Sequence, residues 1–107
     1  MQDFKHLTVW KRSHALTLEV FKATVSFPIE EKFGLASHLR KTAISVESNL
    51  AEGAGRVGKA DLKRFVFIAL GSVRELECQL LIAKELGFMT ATHVDRWGGP
   101  FARRLQG

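Results

Sequence analysis

The sequence predicts an all-α fold, an antiparallel up-down-up-down bundle of four helices. Three observations carry this prediction. Apolar residues recur every three or four positions along three long segments, loops with glycine or proline separate those segments, and no segment shows the period of two that is typical of a strand. A chain of 107 residues has the size of one domain, and we expect that domain to span residues 1–107.

The first two helices are predicted over residues 7–25 and from residue 33 or 35 to residue 52. The apolar residues of the first helix form two stripes, one of Leu7, Trp10, Leu18, Phe21 and Val25 and one of Val9, Leu16, Val20 and Ala23. Pro28 follows this helix and disfavours its continuation, because the residue before a proline is pushed out of the α region. Gly53 is expected to end the second helix, of which one face is lined by Leu35, Leu39, Ala43, Val46 and Leu50.

The third helix is predicted over residues 59–86, with Gly87 as its cap. Residues 65–70 read FVFIAL, and a helix that is apolar all round is covered on every side. We expect a second copy of this short chain to supply that cover; the alternative is a well-covered core helix in a monomer. Gly71 costs about 1 kcal/mol relative to alanine inside a helix, which predicts close approach by another helix.

The fourth segment carries a weaker helical pattern. Thr90 or Thr92 is a candidate cap for a helix over residues 91–97, and the Gly-Gly-Pro sequence at 98–100 is expected to break it. Residues 101–105 are expected to form a separate turn. We therefore expect a short or irregular end to the bundle.

Composition excludes several classes of protein. Hydrophobic residues make up 46% of the chain and charged residues 25%, which is typical of a globular domain. No apolar segment approaches the roughly 20 residues that span a bilayer, and the N-terminus lacks the pattern of a signal peptide. We expect a cytoplasmic protein without membrane contact. Cys78 has no second cysteine to pair with, and we expect it to pack as a small buried hydrophobe.

Between residues 4 and 88, the order and spacing of many residues resemble a known family. They are Phe4, Leu7, Val9, Trp10, Ala15, Phe27, Pro28, Glu31, Phe33, Gly34, Leu35, Arg40, Lys41, Ala43, Ser45, Val46, Asn49, Leu50, Ala51, Glu52, Gly53, Arg56, Phe65, Ala69, Leu70, Gly71, Ser72, Glu75, Leu76, Gln79, Leu80, Leu86 and Gly87. On these residues the chain resembles the 23S rRNA intervening-sequence proteins, small bacterial four-helix bundles. The resemblance implies assembly into a ring, a pentamer, with an RNA-related role and no assigned enzymatic activity. From Thr90 onward the chain departs from the family, whose fourth helix is longer.

Charge placement is the main functional clue that does not depend on the resemblance. The formal net charge is +5, and the predicted topology brings an excess of basic residues to one end of the bundle. The basic residues at that end are Lys5, Lys11, Arg12, Arg56, Lys59, Lys63, Arg64, Arg103 and Arg104, against the acids Asp3, Glu47, Glu52 and Asp61. Such a surface is typical of a protein that binds nucleic-acid phosphates. An ordinary solvated basic surface is the alternative.

The predicted nucleic-acid-binding residues are Arg56, Lys59, Lys63 and Arg64, supported by Lys11 and Arg12. A glycine-rich turn at residues 55–58 precedes the third helix. Backbone N–H groups there and the positive end of the helix dipole are expected to add to the attraction for phosphate.

A second set of polar residues is predicted to form a structural network between helices. It comprises Asn49, Glu52, Ser72, Glu75 and Gln79, with Arg56 as a partner for a carboxylate. Spacings of three or four residues place the members of each helix on one face. The alternative is a carboxylate site for a metal or for acid–base chemistry, but a di-metal bundle needs Glu-x-x-His pairs and this sequence has none.

The sequence offers no motif for catalysis or for a cofactor. Its histidines, at positions 6, 14, 38 and 93, lack metal-binding spacing, and no Ser/His/Asp or Cys/His arrangement is recognisable. We therefore expect no metal, no cofactor and no enzymatic activity. The predicted function is an oligomeric helical bundle that binds RNA or a ribonucleoprotein through its basic end. The alternative is a protein-interaction scaffold or adaptor that does not bind nucleic acid.

Overall fold

The computed structural model describes residues 3–56 and 58–90. Within them the chain is all-α and contains no strand. Its elements are the α-helices α1 (Thr8–Thr24), α2 (Leu35–Gly55) and α3 (Lys59–Glu85), with short 3-10 helices at Phe4–His6 and Ile29–Glu31. The described residues thus form three α-helices where the sequence predicted four, and the predicted fourth segment lies outside them. None of the described helices combines the length and hydrophobicity that a membrane span requires.

Helix α2 lies between α1 and α3 and runs antiparallel to both. The residue pairs that meet across the interfaces are His14–Glu47, Thr17–Ala43 and Thr24–Arg40 for α1 with α2, and Thr42–Glu75 and Ser45–Ser72 for α2 with α3. Within each interface, the residue number rises along one helix as it falls along the other. The beginning of α1, the end of α2 and the beginning of α3 therefore lie at the same end of the molecule, as the up-down-up part of the prediction required.

The predicted helix ends agree with the structure to within one residue, except at the end of α2. Helix α2 continues to Gly55, so Gly53 lies inside the helix instead of ending it. Gly87 does end α3: its φ is 81°, and the N–H of Phe88 donates to the carbonyl of Ala83 at 2.8 Å. This left-handed glycine cap satisfies carbonyl groups in the last turn of α3.

Helix α2 supplies the centre of the hydrophobic core. The predicted stripe of α2 is confirmed, with Leu39, Ala43, Val46 and Leu50 buried and Leu35 half-buried. Helix α3 faces it with a stripe of its own, formed by Ala69, Val73, Leu76, Leu80 and Ala83. Within the described residues, α2 packs against two helices and therefore has a wide buried apolar face.

The buried face of α1 differs from the prediction. Three residues of the first predicted stripe, Leu18, Phe21 and Val25, are exposed in the single chain. The face against α2 is formed by Leu16 and Val20 of the second predicted stripe, whose burial is confirmed, together with Ser13, Thr17 and Thr24. Hydroxyl side chains tolerate burial here because each donates to a carbonyl one turn back in α1, at distances from 2.8 to 3.0 Å.

The apolar run at residues 65–70 is only partly covered by the single chain. Ala69 is buried, whereas Phe67 and Ile68 are exposed. No atom of the described residues comes within 4 Å of the position that a Cβ of Gly71 would occupy, so no helix of the described chain approaches there. The close approach lies at Gly53, where a Cβ would be 2.9 Å from the Cβ of Phe65. Cys78 is exposed, so the prediction that it is buried was wrong.

Candidate nucleic-acid interface

The strongest cluster of basic residues lies where α2 ends and α3 begins. Arg56 follows the last residue of α2, and Lys59, Lys63 and Arg64 occupy roughly the first two turns of α3. All four side chains are exposed. The connection is short because Gly58 adopts a φ of 117°, a conformation that favours glycine. The structure therefore brings together four of the six predicted nucleic-acid-binding residues.

The ring of Phe65 holds two of these cations side by side. The guanidinium Cζ atoms of Arg56 and Arg64 lie 5.4 and 5.5 Å from the ring centroid, within the range of cation–π attraction. Phe65 is itself half-buried against Gly53 of α2. A guanidinium that stacks on an aromatic ring keeps its N–H edges free for hydrogen bonds to phosphate oxygens. The arrangement thus positions two donors without using up their hydrogen-bonding capacity.

One acidic residue competes for this cluster. Arg56 donates through Nη2 to Oε1 of Glu52 at 2.7 Å, and both side chains are about half exposed. A pair in this position contributes about 1 kcal/mol or less, because water screens it. Lys59, Lys63 and Arg64 form no ion pair within the described residues. Three of the four charges are therefore not neutralised by an ion pair there.

The first turn of α3 adds backbone donors to the cluster. Gly58 occupies the cap position and, having no side chain, forms no side-chain hydrogen bond to the N–H groups of the first turn. Such groups carry the positive end of the helix dipole. Asp61 lies in the same turn and offsets part of that charge. The predicted contribution of backbone N–H groups thus has a structural basis at this helix start.

Lys11 and Arg12 lie on α1 at the same end of the molecule, and both are exposed. An aromatic stack anchors this part of α1: the Phe4 and Trp10 rings are 4.9 Å apart, and Trp10 lies parallel to His14 at 4.8 Å. The Nδ1 atom of His14 is 3.2 Å from a carboxylate oxygen of Glu47 on α2. These contacts give Trp10 and His14 a packing role. Of the three other basic residues predicted at this end, Lys5 is exposed in the 3-10 helix Phe4–His6, and Arg103 and Arg104 lie outside the described residues.

A comparison with protein families assigns the chain. The family model described as 23S rRNA-intervening sequence protein matches residues 5–99. The chain belongs to this family. The matched region contains every predicted nucleic-acid-binding residue and the whole predicted polar network. A comparison with curated proteins found no match.

In this intervening-sequence protein, the predicted polar network is divided into separate groups. Ser45 joins two of its members, because its Oγ lies 2.9 Å from Oγ of Ser72 and accepts from Nδ2 of Asn49 at 3.2 Å. Glu75 accepts from Thr42 Oγ1 and from Gln79 Nε2, each at 3.2 Å. Glu52 contacts neither group and instead pairs with Arg56 at the surface.

Sequence reasoning missed Ser45 and Thr42, which connect α2 to α3 in the intervening-sequence protein. Their spacing was a usable signal, since Thr42, Ser45 and Asn49 follow one another at intervals of three and four residues on one face of α2. No group of three or more His, Cys, Asp or Glu side chains able to hold a metal occurs among the described residues. We therefore interpret the polar residues between α2 and α3 as hydrogen-bonded contacts that fix the register of the two helices.

Proposed function

We propose that this intervening-sequence protein binds RNA, alone or within a ribonucleoprotein, through the phosphate backbone and without catalysis. The binding surface is its basic end, defined by Arg56, Lys59, Lys63 and Arg64 with Lys11 and Arg12 beside them. One observation carries the proposal: Lys59, Lys63 and Arg64 are exposed on adjacent turns of one helix and form no ion pair within the described part of the chain. The family description, which refers to 23S rRNA, agrees with this class of partner.

Binding would draw its free energy from the release of counterions. Each phosphate that a lysine or arginine neutralises contributes a slope of about −0.7 to −0.9 to the plot of log affinity against log salt concentration. The contacts of such a surface position the RNA but do not read its bases. A-form RNA also hides base edges in a deep and narrow major groove. Recognition would therefore follow the shape and the backbone of the RNA more than its sequence.

The other end of the molecule offers a surface for self-association. Six of the twelve exposed large apolar side chains of the described residues lie where α1 and α3 finish and α2 begins. This apolar end comprises Val25, Ile29, Phe33, Leu81, Ile82 and Leu86. A second copy of the chain is the partner we propose for it; the ring, a pentamer, that the resemblance implied stays a prediction. Assembly of this kind would present several basic ends to one RNA molecule and raise its avidity.

A pair of triple variants tests the proposal. K59E/K63E/R64E reverses the three unpaired charges at the basic end, and K22E/K32E/K84E reverses three exposed lysines at the other end. Binding to a structured RNA would be measured across salt concentrations, with circular dichroism and gel filtration as checks on fold and assembly. We expect the first variant to lose at least about 100-fold in affinity, since charged hydrogen bonds contribute roughly 1.5–3 kcal/mol each. The control variant should retain binding and the salt slope.

Two outcomes would contradict the proposal. Equal losses in the two triple variants would show that only net charge matters and that the basic end has no special part. Absence of wild-type binding at low salt would favour the second candidate, a protein-interaction scaffold. The exposed apolar end supports that candidate, because protein–protein contact sites bury exposed apolar side chains.

A further inference from the structure

Phe67 is an exposed aromatic residue at the border of the basic end. The residue is 61% exposed, and Nζ of Lys63 lies 5.9 Å from its ring centroid. Lys63 precedes Phe67 by one helical turn, about 6 Å along the axis of α3. Unlike Phe65, which is half-buried and holds two guanidinium groups, Phe67 faces away from the core. The ring of Phe67 therefore lies beside the ammonium group of Lys63 and does not pack in the core of the bundle.

Gly71, one helical turn after Phe67, adds no side chain to this surface of α3. Side chains in an α-helix lean toward its N-terminus, so the residue four positions later normally covers part of its predecessor. At Gly71 there is no side chain, and no atom of the described chain lies within 4 Å of where a Cβ would be. Lys63, Phe67 and Gly71 thus form one row along α3. In this row, a lysine lies one turn before the aromatic ring and a glycine, which has no side chain, lies one turn after it.

We propose that Phe67 is a stacking site for an unpaired RNA base, with Lys63 contacting an adjacent phosphate. This inference rests on the proposed function and narrows its substrate class to RNA that contains single-stranded segments. A base in a duplex is already stacked on its neighbours, whereas an unpaired base is free to stack on an aromatic side chain. Every base has a π face, so such a site tolerates any sequence and complements backbone binding.

Phe33 provides a matched comparison within the same chain. Its ring is 87% exposed and Nζ of Lys32 lies 5.5 Å from the centroid, so it repeats the lysine–aromatic pair of Lys63 and Phe67. Phe33, however, lies at the apolar end, close in sequence to Glu30 and Glu31, whose charges repel phosphate. An aromatic ring beside a lysine is therefore not sufficient. Phe67 differs in that it lies beside the basic end, where Lys59, Lys63 and Arg64 form no ion pair within the described residues.

The test uses three variants of the full chain: F67L, F33L and G71Q. Leucine removes the π face and keeps an apolar side chain, while glutamine at position 71 adds a long side chain one turn after Phe67, where it would compete with a base for the ring. Fluorescence anisotropy would measure binding to a labelled single-stranded oligoadenylate of about 12 nucleotides and to an RNA duplex of the same length. We expect F67L and G71Q to weaken single-strand binding by about 5- to 100-fold. Their affinity for the duplex and the salt slope should stay within about twofold of wild type, because no charge is removed.

The controls separate this inference from the proposed function. F33L should bind both RNAs as the wild type does when the two are compared at equal oligomeric mass, which is checked because Phe33 lies at the apolar end proposed for self-association. If F67L and G71Q leave single-strand binding unchanged while K59E/K63E/R64E abolishes it, base stacking is wrong and backbone binding stands. If the wild type binds neither RNA at low salt, both proposals fail. A change in the oligomeric mass of F67L, measured by light scattering, would assign Phe67 to an interface between copies and overturn the stacking site.

Discussion

Replacing Gly53 with alanine is expected to destabilise the fold, although alanine is the better helix former. Gly53 lies inside α2, and a Cβ built on it would be 2.9 Å from the Cβ of Phe65 and 3.3 Å from Cδ1 of Leu62. Carbon atoms in contact prefer a separation of about 3.5–4.0 Å. The Cβ of Phe65 is fixed to the backbone of α3, so rotation of a side chain cannot relieve the contact. The two helices would have to separate at this point.

The magnitude follows from two opposing terms. Alanine in place of glycine in a helix interior stabilises by roughly 0.5–1 kcal/mol. Forcing an extra carbon into a packed contact costs about 1–3 kcal/mol. Gly71 lies in α3 with no described atom within 4 Å of a Cβ, so G71A should show the first term alone. The difference in unfolding free energy between G53A and G71A therefore isolates the cost of the contact, and we expect about 1–3 kcal/mol.

Thermal unfolding followed by far-ultraviolet circular dichroism would measure this difference. Each kcal/mol shifts the Tm of a domain of this size by about 4–8 °C. Both variants and the wild type would be compared at the same protein concentration, because association between copies also raises apparent stability. A Tm of G53A at or above that of G71A would refute the close contact of α2 with α3. A Tm of G71A below that of wild type would show instead that another copy packs against Gly71.

Four further predictions address the core, a cap, a cross-link and the basic end. L76A should lower the unfolding free energy by about 2–5 kcal/mol in denaturant titrations, since Leu76 is fully buried. G87A should lower the unfolding free energy by about 1 kcal/mol or more, because the φ of 81° at this position strains any residue with a Cβ. G87N should lower it by less in the same titrations. S45A should lower the unfolding free energy by about 1 kcal/mol in the same denaturant titrations, because it removes the hydroxyl that joins Ser72 and Asn49. E52Q should leave stability within about 1 kcal/mol and raise RNA affinity a few-fold in anisotropy titrations, because it frees Arg56 of its carboxylate.

The parts of the fold that the sequence predicted are those determined by local signals. Gly87 sits where the apolar period of α3 stops, and its left-handed cap was predictable from that position alone. The stripe of α2 was equally clear, because its position between two helices demands a wide apolar face. Gly53 was misread for a physical reason: glycine ends helices and also permits helices to approach closely, and only the path of α3 past Gly53 decides between these roles.

Helix α1 shows why a correct period does not fix the orientation of a helix. Leu18, Phe21 and Val25 repeat at helical spacing, and so do Ser13, Thr17 and Thr24. Hydrophobicity favours the first set at the interface with α2, but the structure buries the second. Serine and threonine satisfy their hydroxyl groups on the carbonyls of the helix itself, which lowers the cost of burying them. The wrongly assigned residues are now part of the exposed surface of the single chain.

The candidate binding site was predictable in its charges but not in its aromatic residues. The excess of lysine and arginine at one end followed from topology and residue number, and the antiparallel helices reproduce it. The different positions of Phe65 and Phe67 could not be predicted from the sequence, because every residue of the run at 65–70 is apolar. Two residues apart on a helix, these rings point in directions about 200° different. Phe65 therefore packs toward α2 with two guanidinium groups, and Phe67 points outward.

The position of Lys63 decides which kind of partner suits the outward face of Phe67. A second copy of the chain packed over that ring would also remove from water an ammonium group that lies 5.9 Å from the ring centroid. Lys63 has no carboxylate partner within the described residues, so its burial would cost several kcal/mol. An RNA strand covers the same ring and brings a phosphate to the ammonium group, which compensates its charge. The cover of the apolar run at residues 65–70 by a second copy stays a prediction; at its first turn, beside Lys63, an anionic ligand is the partner that we propose, and the apolar end is the surface that we propose for self-association.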